Sequence, residues 1–375
     1  MNFRKAQLSL VFIIALLFHF KAFAGQSGKQ FIDAANSAIR YVGRIDFSDK
    51  ENPRFDWGGV YIQFQFTGKS CAVKMSDTRH DYFQVMVDNL PAKVMKVTGD
   101  TILVIADNLK NKLHKVEIVK RTEGEQGTAT FSGIYLDEGA VISPWPNAPK
   151  HKIQFIGNSI TCGYGVEGKS KNAHFKPETE NSYKSYAPIT ARAFDADYHL
   201  VSHSGYGVVR NYGYKGKISP EPMPSKCDQV YDMKEQPKWN FSNWIPDAVV
   251  INLGTNDFST HPFPDKAVFQ RGYENLILRV QKNYPGVPVF CIVGPMIDEP
   301  CYSYVKEMVE AFRQVHQVNN VYFVGVPTYL MIPGHDLGAD SHPNYSGQKK
   351  TAAFLVPVMS SVLGWKYNGD EFLNK

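Results

Sequence analysis

The sequence predicts two unlike domains: an α/β fold built on a parallel sheet, preceded by an all-β sandwich. Three observations carry this. The chain has 375 residues, more than one ordinary hydrophobic core sustains, so two domains are expected. Residues 40–142 alternate apolar and polar side chains with the two-residue repeat of half-buried strands. After residue 150 the pattern changes to short continuous apolar runs separated by segments with helical apolar spacing. Strands buried on both faces, with helices between them, mean a parallel sheet covered by helices.

Taken in order, residues 1–24 read as a secretory signal peptide. Arg4 and Lys5 supply the positive start, Leu8 to Phe18 the apolar stretch, and Ala22-Phe23-Ala24 a small-x-small cleavage site. The apolar run is shorter than the roughly 20 residues a membrane span needs, and His19 and Lys21 interrupt it. A secreted or periplasmic product without a stable membrane anchor is expected. Residues 25–142 form the sandwich. Val60, Ile62, Phe64 and Phe66 point one way and Tyr61, Gln63, Gln65 and Thr67 the other; Phe83, Val85 and Val87 repeat the pattern, as do Val116 and Ile118. The spacing of Gly, Asp and Asn turns suggests about eight or nine strands. Residues 143–149, Ser-Pro-Trp-Pro-Asn-Ala-Pro, form a stiff linker, because their prolines cannot pair in a sheet. The α/β domain occupies 150–375. Its strands fall at 153–156, 248–253, 289–293 and 321–326, and its helices at 181–194, 266–283, 302–318 and 346–363.

Composition narrows the function. Hydrophobic residues at 43% and charged residues at 21% describe a normal soluble protein. The formal charge of +5 is spread along the chain without a dense Lys/Arg run, so nucleic acid is not an expected partner. The five cysteines are odd in number and include no Cys-x-x-Cys pair, so at least one is unpaired within the chain and a zinc knuckle is not expected. Cys291 falls in a buried strand and reads as a packed thiol. No pairing follows from the sequence.

Three segments carry chemistry. Ile153-Gln-Phe-Ile-Gly-Asn-Ser159 is a buried strand ending in a sharp turn that presents Ser159 at a helix start, where the helix dipole favours developing negative charge. Asp247 to Asp257 is a second buried strand ending in Gly254-Thr-Asn256-Asp257, and Asp340-Ser-His342-Pro-Asn344 precedes a helix near the C-terminus. A hydroxyl nucleophile, an amide donor and an imidazole, each at the end of an element, are what acyl transfer needs. A serine in such a place also serves as a plain helix cap, and Gly-Thr-Asn-Asp also suits a turn; it is their occurrence together that favours catalysis. His342 is the preferred base over His335, His203 and His174, because Pro343 and Asn344 follow it.

These segments resemble the SGNH (GDSL-like) hydrolase family over about residues 150–365. Gly157-Asn158-Ser159 stands where the family has Gly-Asp-Ser, and Gly254-Thr-Asn256-Asp257 matches as it stands. Asp340-Ser341-His342-Pro343 is one residue shorter than the family's Asp-x-x-His-Pro, with Ala339 at the family's acid position. The resemblance implies a three-layer α/β/α domain with Ser159 as nucleophile and His342 as base. It implies an oxyanion hole formed by the Ser159 and Gly205 N–H groups and the Asn256 amide, with Asn158 and Asp257 supporting the turns. Two readings of the group orienting His342 stand side by side: the carboxylate of Asp340, with Asp336 a further candidate, or a backbone carbonyl, that of Ser341, in a Ser–His dyad.

A narrower resemblance, to carbohydrate esterase family 2, rests on Trp239-Asn-Phe-Ser-Asn-Trp244-Ile-Pro-Asp247, Tyr41-Val-Gly-Arg44-Ile-Asp-Phe47 and Pro53-Arg54-Phe55-Asp-Trp57. It implies a jelly-roll sandwich before the hydrolase domain, and removal of acetyl groups from plant polysaccharides with no metal or organic cofactor. The acetylated polysaccharide or oligosaccharide would be the partner. Among the aromatic residues near the motif loops (Tyr164, Tyr206, Tyr212, Tyr214, Trp239 and Trp244), Tyr206 and Trp239 are the candidates for substrate contact. A lipase or thioesterase on the same fold is the competing enzyme reading. An inactive carbohydrate-binding protein is the non-enzymatic one, disfavoured by the presence of Ser159, Asn256 and His342 together.

Overall fold

The computed structural model describes residues 28–373, so the leader-like segment 1–24 lies outside the described residues. The N-terminal part is a sandwich of two antiparallel sheets, of five and six strands. In the first, Ala129–Asp137 lies between Lys29–Asp33 and Cys71–Asp77, with Thr101–Ala106 beyond and Arg54–Phe55 paired at its start. The second runs Ile142–Ser143, Tyr61–Gly68, Lys112–Lys120, Asp81–Val87 and Lys93–Val97, with Arg40–Val42 also on Tyr61–Gly68. The strands exceed the eight or nine expected because two of them are two-residue pairings too short to leave a periodic signal. Phe55, Phe64, Phe66, Phe83, Val116, Phe131 and Ile134 fill the space between the sheets, as inward positions of a sandwich do.

One feature departs from simple alternation. Tyr61, Gln63 and Gln65, the polar side of strand Tyr61–Gly68, are buried as well as the apolar side. Along these three residues the outer face is covered. Tyr61 donates its hydroxyl proton to Asp197 of the second domain at 2.5 Å, and Arg40 pairs with the same carboxylate.

The second domain is a five-stranded parallel sheet in the order Ala196–Ser202, His151–Gly157, Ala248–Asn252, Val289–Val293, Val321–Gly325. Successive residues of one strand enter opposite cores: Val249 and Ile251 pack with helices Lys266–Asn283 and Cys301–His316, Ala248 and Val250 with Tyr186–Ala193 and Tyr345–Leu363. This is the three-layer α/β/α arrangement. The first of these helices in the chain, Tyr186–Ala193, begins later than the 181–194 expected, because Ser182–Lys184 forms a separate 3₁₀ turn. Strand His151–Gly157 lies second in this order, and its neighbours on the two sides follow it in sequence in opposite directions across the sheet. That reversal opens a crevice at the carboxyl ends of the strands.

The sandwich seats on edge strand Ala196–Ser202 and the loop after it. The Gly43 N–H donates to His199 Nε2 at 3.1 Å, and the Arg44 guanidinium donates to the carbonyls of Cys227 and Gln229 at 2.8 and 2.7 Å. Asp56 accepts from the N–H groups of Asp232 and Met233 at 2.7 and 3.0 Å. All five cysteines are buried free thiols. No helix among the described residues is long and apolar enough to cross a membrane.

Candidate active site

Strand register brings the motif loops together. Gly157 pairs with Ser202 on one side and Asn252 on the other, so the turns carrying Ser159, Gly205 and Asn256 leave three adjacent strand ends, each about 5 Å from the next. Gly157 is a requirement of close approach: a Cβ there would lie 2.0 Å from Thr161 Oγ1 in the helix that follows. That helix, Ser159–Cys162, is capped by Asn158, whose Oδ1 accepts from the Ile160 N–H at 3.1 Å. Asn158 thus supports the turn from a fully buried position.

Ser159 Oγ lies 2.9 Å from His342 Nε2. The other ring nitrogen, Nδ1, faces the backbone carbonyl of Asp340 at 3.2 Å. An N–H at Nδ1 donating to that carbonyl leaves Nε2 as the acceptor for the serine proton. The accepting carbonyl belongs to Asp340 and not, as the spacing suggested, to Ser341. The reason is local: Asp340 and Ser341 both adopt positive φ, 49° and 61°, a left-handed turn that swings the Asp340 carbonyl back under the ring. The Asp340 carboxylate points elsewhere. It accepts from the Phe175 N–H at 2.9 Å and the Tyr164 hydroxyl at 3.0 Å, with His174 Nδ1 at 3.1 Å. Asp336 is committed to Ile332, His335, Ser346 and Lys350, so it too does not orient His342.

Tyr164 packs tilted against the His342 ring at 4.3 Å, and Phe175 stacks on Tyr164 at 4.2 Å. Enclosure by these rings pushes the His342 imidazole down to about 4, against the opposing pull of the Asp340 and Ala339 backbone and the Asp340 charge. A neutral imidazole is the form a general base needs.

On the oxyanion side, Gly205 has φ +81°, a backbone conformation that favours glycine. Its carbonyl accepts from the Tyr212 N–H at 2.7 Å. Asn256 is buried, and its Nδ2 donates to the Tyr206 carbonyl at 2.8 Å, leaving a second N–H on the same nitrogen for substrate. Asp257 is structural: its carboxylate accepts from the N–H groups of Val208, Val209 and Arg210 at 2.8, 2.8 and 2.9 Å. It fixes the loop that follows Gly205.

The two aromatic candidates fare differently. The Tyr206 ring is half-buried and packs edge-on against His203 at 4.1 Å. Trp239 is 8% exposed and its ring faces the Arg44 guanidinium at 5.3 Å and His199 at 5.8 Å. Its assignment to substrate contact is therefore corrected: this ring closes the seam between the domains and offers no open face. Trp244 is stacked on His199 at 3.7 Å in the same place. Tyr212, 72% exposed beside Gly205, presents the open ring instead.

Sequence reasoning missed the Tyr164 shield and a buried group behind the site. His203 Nδ1 meets Asp232 at 2.7 Å, and Glu123 of the sandwich accepts from the Ser204 N–H at 2.7 Å. No spacing rule ties Glu123 to the motifs. Paired with Asp232 and with Glu125, which is at 3.4 Å, His203 is held charged, its pKa raised to about 11. It is a structural cation and not a second base.

Fold and site together define a serine ester hydrolase. Residues 155–350 match the GDSL-like lipase/acylhydrolase family, and residues 41–146 match the carbohydrate esterase 2 N-terminal family. A family two carbohydrate esterase from Clostridium thermocellum, solved in complex with cellohexaose, superposes with a TM-score of 0.80 at 36% identity, covering 87% of this chain and 99% of that one. The chain belongs to the family two carbohydrate esterases. It is 38% identical over 340 residues to the cellulase/esterase CelE of Acetivibrio thermocellus, covering 89% of this chain but only 40% of CelE. It is also 26% identical over 340 residues to an acetylxylan esterase / glucomannan deacetylase of Cellvibrio japonicus, covering 89% of this chain and 91% of that protein.

Proposed function

We propose that this chain is a carbohydrate O-deacetylase that removes acetyl groups from plant polysaccharides, acting as a secreted or periplasmic enzyme. The observation that carries the reading is the 2.9 Å contact from Ser159 Oγ to His342 Nε2, with Nδ1 held by a carbonyl. Ser159 Oγ attacks the acetyl carbonyl carbon as His342 Nε2 takes its proton. The oxyanion is received by the N–H groups of Ser159 and Gly205 and the Asn256 amide, each such donor being worth about 3–4 kcal/mol in the transition state. Collapse expels the sugar oxygen, which takes the proton from His342. Water, deprotonated by the same imidazole, then attacks the acetyl-enzyme and releases acetate. This route uses no metal or organic cofactor.

The names of the relatives supply the sugar part: acetylxylan and glucomannan for the Cellvibrio protein, cellohexaose bound in the Clostridium one. The open ring of Tyr212 beside the oxyanion glycine gives a pyranose ring a face to stack on. The test is acetate release from acetylated xylan, acetylated glucomannan and 4-nitrophenyl acetate by wild type and Ser159→Ala. The variant is expected to fold and to lose at least about a thousandfold in activity. Full activity in Ser159→Ala, or activity abolished by a chelator and restored by zinc, would sink the serine mechanism.

A further inference from the structure

The N-terminal sandwich reaches the catalytic machinery at one point. Glu123 follows strand Lys112–Lys120 and is 2% exposed. Its Oε2 accepts from the Ser204 N–H at 2.7 Å and lies 3.6 Å from Cys162 Sγ. Cys162 stands on the short helix that begins with the nucleophile, and Ser204 immediately precedes the oxyanion glycine. One carboxylate oxygen therefore touches both halves of the site. The direction of the Gly205 N–H is that of the peptide joining 204 to 205. This peptide is bracketed: the N–H of residue 204 is held by Glu123, and the carbonyl of residue 205 by the Tyr212 N–H at 2.7 Å. Glu123 is itself rigid, since its carbonyl accepts from Lys120 Nζ at 3.2 Å and its N–H donates to Glu180 at 3.3 Å.

We infer that Glu123 is a positioning residue for the oxyanion hole, supplied to the hydrolase domain by the sandwich; this rests on the deacetylase reading above. What it supplies is an acceptor at a fixed reach, not a charge. Burial raises the Glu123 carboxyl, and Glu180 beside it, above the usual carboxylate range. The buried Glu180 Oε1 has no partner among the described residues. Glutamine at 123 would keep an oxygen for the Ser204 N–H and turn an amide N–H toward the Glu180 carboxylate. Aspartate would keep the carboxyl group but fall one methylene short.

The experiment compares Glu123→Gln, Glu123→Asp and Glu123→Ala with wild type on 4-nitrophenyl acetate, each assayed well below its own melting temperature. Wild type and Ser159→Ala are run first, so that a wild-type protein with no esterase activity identifies failure of the deacetylase reading itself. With wild type active, Glu123→Asp and Glu123→Ala are expected to lose about tenfold to a hundredfold in kcat, a fraction of the loss on removing an oxyanion donor. KM should stay within about threefold, because the defect lies in the transition state. Glu123→Gln should stay within about threefold of wild type in kcat. If Glu123→Ala does not fold, the Asp and Gln pair still decides. An active Asp variant beside an inactive Gln variant would show that charge is what matters and overturn the inference. So would unchanged kcat in all variants, or stoichiometric metal in the purified protein that Glu123→Ala loses, since Glu123, Cys162 and Glu180 present ligand atoms within 4.8 Å of one another.

Discussion

Replacing Asp340 separates the two ways of orienting His342. In a Ser–His–Asp triad, asparagine at the acid position holds the wrong tautomer and costs about 10⁴ in kcat. Here the ring is held by the Asp340 main chain, which asparagine leaves in place. Asparagine also tolerates the left-handed conformation at φ 49°, and its Oδ1 can accept from the Phe175 N–H as the carboxylate does. Asp340→Asn should therefore keep kcat within about threefold of wild type. Alanine is harsher. It gives up the contacts to Phe175, Tyr164 and the exposed His174, each worth about 1 kcal/mol at a partly exposed position, and sits less easily at positive φ by about 1 kcal/mol.

Most of that cost should not reach the ring. The turn keeps four backbone bonds: Asp340 N–H to Ala173, Ser341 N–H to Lys171, Gly338 N–H to His342 and His342 N–H to Ala339. A residual displacement worth at most about 1.4 kcal/mol corresponds to about tenfold in rate. The assay is kcat and KM on 4-nitrophenyl acetate at neutral pH, with thermal melting to verify the fold. A loss beyond about a thousandfold in Asp340→Asn that melts like wild type would assign the carboxylate the orienting role and refute the reasoning.

The pH profile should show the enclosure of His342. A general base works only when neutral, and burial lowers the His342 pKa from the ordinary 6.5 to about 4, so with His342 as the proposed base kcat/KM should hold as pH falls through 6.5 and decline only well below it; an acid inflection at 6.5 or above would contradict the shielded ring. A fragment spanning 150–375 should melt at least about 10 °C below the full chain. It removes the sandwich groups that bond Asp197, His199 and Asp232 and bares seam side chains such as Tyr198 and Leu200, which pack against Val42, Tyr61 and Val119; uncovering a buried apolar side chain costs about 1.5–3 kcal/mol, and each kcal/mol moves Tm by about 2–4 °C in a domain this size. Equal melting temperatures would show that the seam adds nothing. The acyl pocket should favour acetyl over butyryl esters by at least about tenfold in kcat/KM, equivalent to about 1.4 kcal/mol, because segments 167–181 and 206–214, which should line it, are mostly polar and aromatic in sequence. Equal or better turnover of octanoyl esters, with none of acetylated sugars, would move the assignment to a lipase.

The sequence by itself determined what is local. Apolar runs and helical spacing set the strands and helices of the second domain, and each motif residue stands within a few positions of the strand end that presents it: Ser159 after Gly157, Asn256 after Asn252. Two-residue alternation marked the sandwich. What only the tertiary structure decided depends on contacts between residues far apart in the chain or on backbone angles that composition does not encode. Tyr61, Gln63 and Gln65 stand on the polar side of an alternating strand, yet they are buried, because alternation reports polarity and not what covers it. Trp239 lay near the motifs in sequence but closes the domain seam. The group that holds His342 is a carbonyl turned inward by two positive φ angles, for which neither Asp340 nor Ser341 carries a residue-type signal as strong as glycine. Glu123 stands 81 positions before Ser204 in another domain, and only packing the sandwich onto the edge of the parallel sheet brings its carboxylate behind the oxyanion loop.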